Sequence, residues 1–233
     1  MKYEALSELE LMSKAVNYNK WILEKIRNYL GKRILEVGAG MGTFTSFFLD
    51  REKIISVDVA PNCVDYLKQR FKNIPQVDVL QMDVSGDSET KKILGEGIDT
   101  IVCLNVLEHI EDDLKALKNL RDVLIPNGKL ILMVPAFPFA FGTIDQLDGH
   151  FRRYKKRELK NKLESCGFKL LKIFYFNSLG LWGWYFNNRM VKKKSNSLQQ
   201  VLFYDRVFVP ILSFFERIIS PPFGQSLMVI AQN

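Results

Sequence analysis

Short apolar runs alternate with amphipathic stretches through most of the first 135 residues. Residues 32–37 form an apolar run that breaks into Gly38-Ala39-Gly40-Met41-Gly42, after which an apolar segment resumes over 43–49. This reads as strand, glycine turn and helix. Residues 54–57 predict a second buried strand ending at Asp58. A helix over 62–71 follows Pro61, whose fixed φ suits a first helical turn. The alternation continues with strand 77–81 and Asp83, strand 100–104, helix 111–124, and a fifth strand over 129–134 after the Pro126-Asn127-Gly128 turn. Ahead of these, Leu6, Leu9, Met12, Val16, Trp21, Leu23, Ile26 and Leu30 recur near helical spacing until Gly31, predicting helix over the first thirty residues.

Strands separated by helices need crossover connections, so the sheet should be parallel and covered on both faces, with ligands at the carboxyl ends of its strands. Beyond Pro135 the pattern changes to an aromatic, charged loop (136–154), a helix over 156–165, a strand over 169–176 and a closing strand over 226–231. Residues 177–224 between those strands far exceed a hairpin turn. They carry Trp182, Trp184, Tyr185, Phe186, Phe203, Tyr204, Phe208, Phe214 and Phe215, and should have structure of their own. The expected fold is α/β: a Rossmann-like, seven-stranded, mostly parallel sheet with an antiparallel last strand, helices on both faces and a helical insert before the last strand. One domain is expected over 1–233, with an N-terminal helical segment (1–30), a cofactor-binding half (31–135) and an acceptor-side half (136–233).

Composition fits that expectation, since 233 residues at 47% hydrophobic can bury one sizeable core. The net charge of +7 is local: residues 151–195 hold 13 Lys/Arg against 2 Asp/Glu, the remainder 20 against 24. Such a run can attract phosphates, an anionic membrane surface or an acidic substrate, and is as readily a solvated face. The charged N-terminus does not read as a signal peptide and no uninterrupted apolar run reaches 18 residues, so a cytoplasmic protein without a transmembrane helix is expected. Cys63, Cys103 and Cys166 are too far apart for metal-ligand spacing, so buried thiols and no metal are expected.

Chemistry gathers at the predicted ligand edge. Gly38, Ala39 and Gly40 allow close backbone approach to a nucleoside. Glu36, Asp58 and Asp83 end or follow three successive strands. Asp58 can accept ribose hydroxyls and Asp83 an adenine amino group. Glu36 stands where a dinucleotide would place its pyrophosphate, and an anion there favours an ammonium instead. Thr43 also occupies the position of the third glycine of the dinucleotide fingerprint, which weakens a nicotinamide reading.

Ile34-Leu-Glu-Val-Gly-Ala-Gly-Met-Gly42, Val57-Asp58, Met82-Asp83 and Asn105-Val-Leu-Glu-His-Ile110 together resemble the successive motifs of class I S-adenosylmethionine-dependent methyltransferases, over about residues 17–135. The resemblance implies S-adenosyl-L-methionine as cofactor and S-adenosyl-L-homocysteine as product. It implies Gly38, Ala39 and Gly40 against the cofactor, Asp58 on the ribose, Val59 beside adenine, Asp83 and Val84 at the adenine edge, and Asn105 near the methionine part. Asp148-Gly-His-Phe-Arg-Arg-Tyr154 is similar to a segment of bacterial members that helps cover the acceptor pocket. It makes His150 a candidate general base, with a structural tie as the alternative, and Arg153 and Tyr154 candidate acceptor contacts. His109 reads as an orienting or packing residue.

The acceptor expected is a small or lipid-like molecule, with peripheral membrane contact compatible with the insert and with Lys192-Lys193-Lys194. A nucleic-acid methyltransferase is the first alternative, encouraged by Arg152-Arg-Tyr-Lys-Lys-Arg157. It is opposed by Asn105-Val-Leu-Glu standing where base-amino methylation uses an Asn/Asp-Pro-Pro-aromatic loop. A nicotinamide-dependent Rossmann enzyme and a non-catalytic binding module are the others.

Overall fold

The computed structural model describes residues 9–187 and 197–233. Seven strands form one sheet in the order β3-β2-β1-β4-β5-β7-β6: β1 (Arg33–Val37), β2 (Lys53–Asp58), β3 (Val77–Gln81), β4 (Ile98–Leu104), β5 (Leu124–Pro135), β6 (Lys169–Phe176) and β7 (Ser226–Gln232). The first five are mutually parallel, and β7 runs antiparallel between β5 and β6. The expected sheet and its reversed last strand are both present.

Alternation along the central strands divides the core. Leu35, Val37, Ile101 and Cys103 face helices α3 (Asp113–Val123) and α4 (Lys156–Ser165) through Ala116, Leu117, Leu120, Leu159 and Leu163. Ile34, Ile54, Val102, Ile131 and Met133 face α1 (Val16–Ile26) and α2 (Pro61–Phe71) through Trp21, Ile22, Ile26, Leu67 and Phe71. Nearly continuous burial in β1, β2 and β4 is what a sheet covered on both faces requires. The three cysteines are free and buried.

The segment after the glycine turn departs from expectation. Residues 43–49 do not form an α-helix; they wind into a tight turn with a 3₁₀ stretch at Thr45–Phe47. Two threonines and three phenylalanines in seven positions are poor helix formers, and the Thr45 hydroxyl is committed inward, to Glu36 at 2.5 Å.

The insert is helical, with α5 (Ser178–Tyr185), α6 (Leu198–Phe203) and α7 (Val209–Ile218), and a π-helical turn over Tyr204–Phe208. Two buried acids fasten it. Asp205 accepts from the backbone N–H groups of Asn17 (3.2 Å) and Tyr18 (2.8 Å) at the start of α1. Glu216 accepts from those of Asn177 (3.1 Å) and Ser178 (2.8 Å) at the start of α5. Residues 192–194 lie outside the described residues. Among the described residues, no helix is long and apolar enough to cross a membrane.

Candidate functional site

The strand order reverses at β1, with β2 on one side and β4 on the other, so the loops leaving β1 and β4 frame a crevice at the carboxyl edge. In the β1 loop, Gly38 and Gly40 have φ of +69° and +55°. A Cβ at Gly38 would stand 2.3 Å from Cγ2 of Val106, in the β4 loop, so the two loops approach to a distance only glycine permits. The backbone N–H groups of Gly38 and Ala39 both donate to Val57 O. Leu9 lies over the turn, its Cδ2 at 3.2 Å from where a Gly40 Cβ would be.

Asp58 fixes the rim. Its Oδ2 accepts from Gly40 N and its Oδ1 from Ala60 N, each at 2.9 Å. Each carboxylate oxygen has a second lone pair, so the group remains able to accept a diol. Val59 beside it is 61% exposed. A cavity of about 370 Å³ opens here, lined by Val59, Gln81, Met82, Asp83, Glu89 and Lys92. Asp83 is exposed, and its Oδ1 accepts from the Ser85 N–H and hydroxyl at 2.8 and 2.7 Å. Val84 is buried, its carbonyl accepting from Asn119. Asn105 is exposed, with φ +54° and its N–H on Met133 O, which turns the chain sharply at the end of β4. Thus Gly38, Ala39, Gly40, Asp58, Val59, Asp83 and Asn105 share one edge.

Glu36 needs correction. Its carboxyl is buried and accepts from Thr45 (2.5 Å) and Ser56 (3.3 Å), and burial pushes its pKa up to about 7 despite those bonds. A carboxyl near half-protonated at neutral pH does not present the anion assumed for it. It braces the turn from beneath.

The 136–154 loop forms a second cluster. Asp145, fully buried, accepts from Arg153 Nε at 2.7 Å and from Gly142 N at 2.9 Å, and pairs with His150 Nδ1 at 3.1 Å. The Arg153 guanidinium also lies over the Trp184 ring at 5.0 Å. Tyr154 is fully buried and donates to Asp113 at 2.9 Å; Asp113 also pairs with Lys162 and Arg152. Arg153 and Tyr154 are therefore corrected from acceptor contacts to internal ties: both are within 3% of complete burial and already partnered. Three cations of the basic run are likewise spent on internal acids, which shrinks the surface a polyanion would meet.

Beside them, Glu108 is buried, with Oε2 lacking any hydrogen-bond partner, and burial pushes its pKa up to about 8. The rings of His109 and His150 meet edge to face at 4.5 Å between centroids. Sequence reasoning singled out both histidines but not Glu108, Asp145 or the partnership among them. Only the tertiary approach of two distant segments, joined by Phe151 N on Glu108 O at 2.8 Å, brings them together.

Comparison with known proteins bears on the fold and the domain. A family model described as a methyltransferase domain matches residues 35–130. An uncharacterized methyltransferase-like protein of Schizosaccharomyces pombe is 29% identical over 143 residues, which is 60% of this chain and 53% of that protein. The mitochondrial ubiquinone biosynthesis O-methyltransferase of the same organism is 29% identical over 105 residues, 45% of this chain and 38% of that one. The crystal structure of a SAM-dependent methyltransferase from Archaeoglobus fulgidus superposes with TM-score 0.64 at 19% identity, covering 99% of this chain and all of that one. The chain spans about half the length, or less, of the curated relatives it matches. Fold, glycine turn and the domain matched over residues 35–130 make the chain similar to the class I S-adenosylmethionine-dependent methyltransferases. The cofactor of that class is S-adenosyl-L-methionine.

Proposed function

We propose that the chain transfers a methyl group from S-adenosylmethionine to a small or lipid-like acceptor by in-line displacement. The observation that carries this is the crevice between the β1 and β4 loops. Its glycine cradle would be filled by any Cβ at Gly38, Asp58 binds the backbone of that cradle, and the exposed Val59 that follows it lines a cavity of about 370 Å³ together with Asp83. These residues fit the cofactor: Asp58 for the ribose hydroxyls, Val59 and Val84 against the adenine, Asp83 for its amino group, and Gly38, Ala39, Gly40 and Asn105 along the amino-acid part. When bound, the sulfonium supplies a methyl already attached to a good leaving group. The chain's task is then to hold an acceptor atom in line with it, and such placement can remove ~7–11 kcal/mol of barrier. Asp145 engages Nδ1 of His150, leaving Nε2 as the atom free for chemistry.

The acceptor class follows from the insert. Phe214, Phe215, Ile218 and Ile219 are each more than half exposed along one end of α7, and Trp182, Phe186 and Phe203 add to them. Apolar surface of this extent favours an apolar or amphipathic acceptor, taken from a membrane surface or covered on binding. Relatives act on chemically diverse acceptors; one is named a tRNA U34 carboxymethyltransferase, at 30% identity over 41% of its length.

Calorimetric titration with S-adenosylmethionine, S-adenosylhomocysteine and NAD tests the cofactor. Saturable binding of the first two alone supports it, and binding of NAD alone overturns it. A screen of apolar alcohols, phenols and lipid-linked sugars, run on the native chain and on Phe214→Ser/Phe215→Ser, tests the acceptor. The double variant should keep cofactor affinity and lose turnover on the apolar acceptors. Turnover on RNA, unaffected by that substitution, would replace this acceptor class.

A further inference from the structure

We propose that Glu108, His109 and His150 form a binding site for one divalent transition-metal ion at the acceptor side of the crevice. One ligand atom from each lies within 4.8 Å of the others. Two ligands at about 2.1 Å from an ion stand at most about 4.2 Å apart, so binding draws the three groups slightly inward. Two imidazoles and a carboxylate, with the remaining positions open, are a donor set for first-row ions rather than for magnesium.

Two observations point to an ion rather than to a chance cluster. The first is Glu108 Oε2: a buried carboxyl oxygen that meets no hydrogen-bond partner among the described residues, so its polar demand is left for a ligand to satisfy. Arg153 lies near enough to act on this carboxyl through its charge but donates no hydrogen bond to Oε2; its Nε is on Asp145 and its Nη1 on Ala136 O. The second is the support around the histidines. His150 is held through Nδ1 by the buried Asp145, and His109 hydrogen-bonds the backbone of Asp148. Each imidazole thus has one nitrogen on an oxygen, which leaves the other to serve an ion, the outer-shell arrangement that orients metal-binding histidines. Asp145 is itself fixed by Arg153 and Gly142 N.

Glu108 and His109 follow the β4 loop, three and four residues after the exposed Asn105. On the methyl-transfer reading above, on which this consequence rests, an acceptor hydroxyl in an open position would be acidified and pass its proton to solvent water, and His150 would act as a ligand instead of a base.

The test is titration of the purified, metal-stripped full chain with Co²⁺, followed by visible absorbance and calorimetry, with S-adenosylhomocysteine titrated in parallel. The expected result is saturable binding of one Co²⁺ per chain at micromolar affinity, displaced by Zn²⁺ but not by millimolar Mg²⁺. Glu108→Gln and His150→Ala should each weaken it by more than about 100-fold. Both variants should retain their melting temperature within a few degrees and their affinity for S-adenosylhomocysteine. His109→Ala stands in for any variant that fails to fold. Absence of saturable Co²⁺ binding, or binding unchanged in the ligand variants, overturns the site. Loss of S-adenosylhomocysteine binding in the native chain would instead strike the methyltransferase reading and leave the metal result standing.

Discussion

Substituting Gly38 by alanine tests the cofactor turn where its geometry is tightest. Two costs combine. The residue sits at φ +69°, where an L side chain costs roughly 1–2 kcal/mol. Its new Cβ would lie 2.3 Å from Cγ2 of Val106, an overlap that must be relieved by moving a loop, at ~1–3 kcal/mol for overpacking. The sum, about 2–5 kcal/mol, should lower the melting temperature by about 4–20 °C in a chain of this size. The backbone shift should also cost affinity for S-adenosylhomocysteine, measured by calorimetry. The two costs separate in a double-mutant cycle with Val106→Ala, which removes the colliding methyl and leaves the dihedral cost in place. A favourable coupling of about 1–3 kcal/mol in thermal melts is expected. Additive effects, or Gly38→Ala as stable as the native chain, would refute the close approach of the two loops.

Asp58→Ala should weaken S-adenosylmethionine binding by roughly 1.5–3 kcal/mol, the range for hydrogen bonds to a charged acceptor, and unchanged affinity in calorimetry would remove Asp58 from the site. Burial raises the pKa of Glu36 from 4.5 to about 7, so the folded chain holds its proton over that interval. Its contribution to stability is therefore complete below about pH 4.5 and is lost as pH rises through about 7, a change of order 3 kcal/mol. Glu36→Gln should flatten that part of the melting-temperature profile, and an unaltered slope would show another group responsible. Tyr154→Phe should cost about 1–3 kcal/mol, from the Asp113 bond it breaks, with cofactor affinity intact; lost affinity would return Tyr154 to the site. Asp205→Ala strands two backbone N–H groups of α1 and should raise amide hydrogen exchange over residues 17–20; unchanged protection there would mean that other contacts hold the insert.

The alternating half of the sheet was legible in sequence because its determinants are local. A glycine turn after β1, an acid closing β2 and a helix after Pro61 are each written within a few residues, and β3, α4 and β6 run over the residues their patterns predict. Two readings failed for physical reasons. Glu36 looked available to a ligand because strand position tells where a residue sits, not that Thr45 and Ser56 will claim its carboxyl. Arg153 and Tyr154 looked like surface chemistry because a charged, aromatic loop reads as exposed, whereas Asp113 and Asp145 lie distant in sequence or in an unremarked stretch and draw those side chains inward. The pairing of Glu108 with His150 was invisible for the same reason.

The insert poses a different question: why a segment lying between the last two strands should bear on a cofactor site at the carboxyl edge. The connection runs through α1. Asp205 receives the N–H groups of Asn17 and Tyr18 in the first turn of α1, Lys25 of α1 donates to Glu216 O, and the Trp21 ring of α1 packs tilted against that of Phe176, the last residue before the insert, at 4.2 Å between centroids. Just ahead of α1 in the chain, Leu9 rests over Gly40. One helix therefore touches the insert along its length while the residues before it cover the glycine turn. A rearrangement of the apolar insert on taking up an acceptor would be felt at the N-terminal cover of the cofactor, through packed side chains and buried carboxylates. Such a linkage would favour acceptor and cofactor closing together, and a site that excludes water only when both are present.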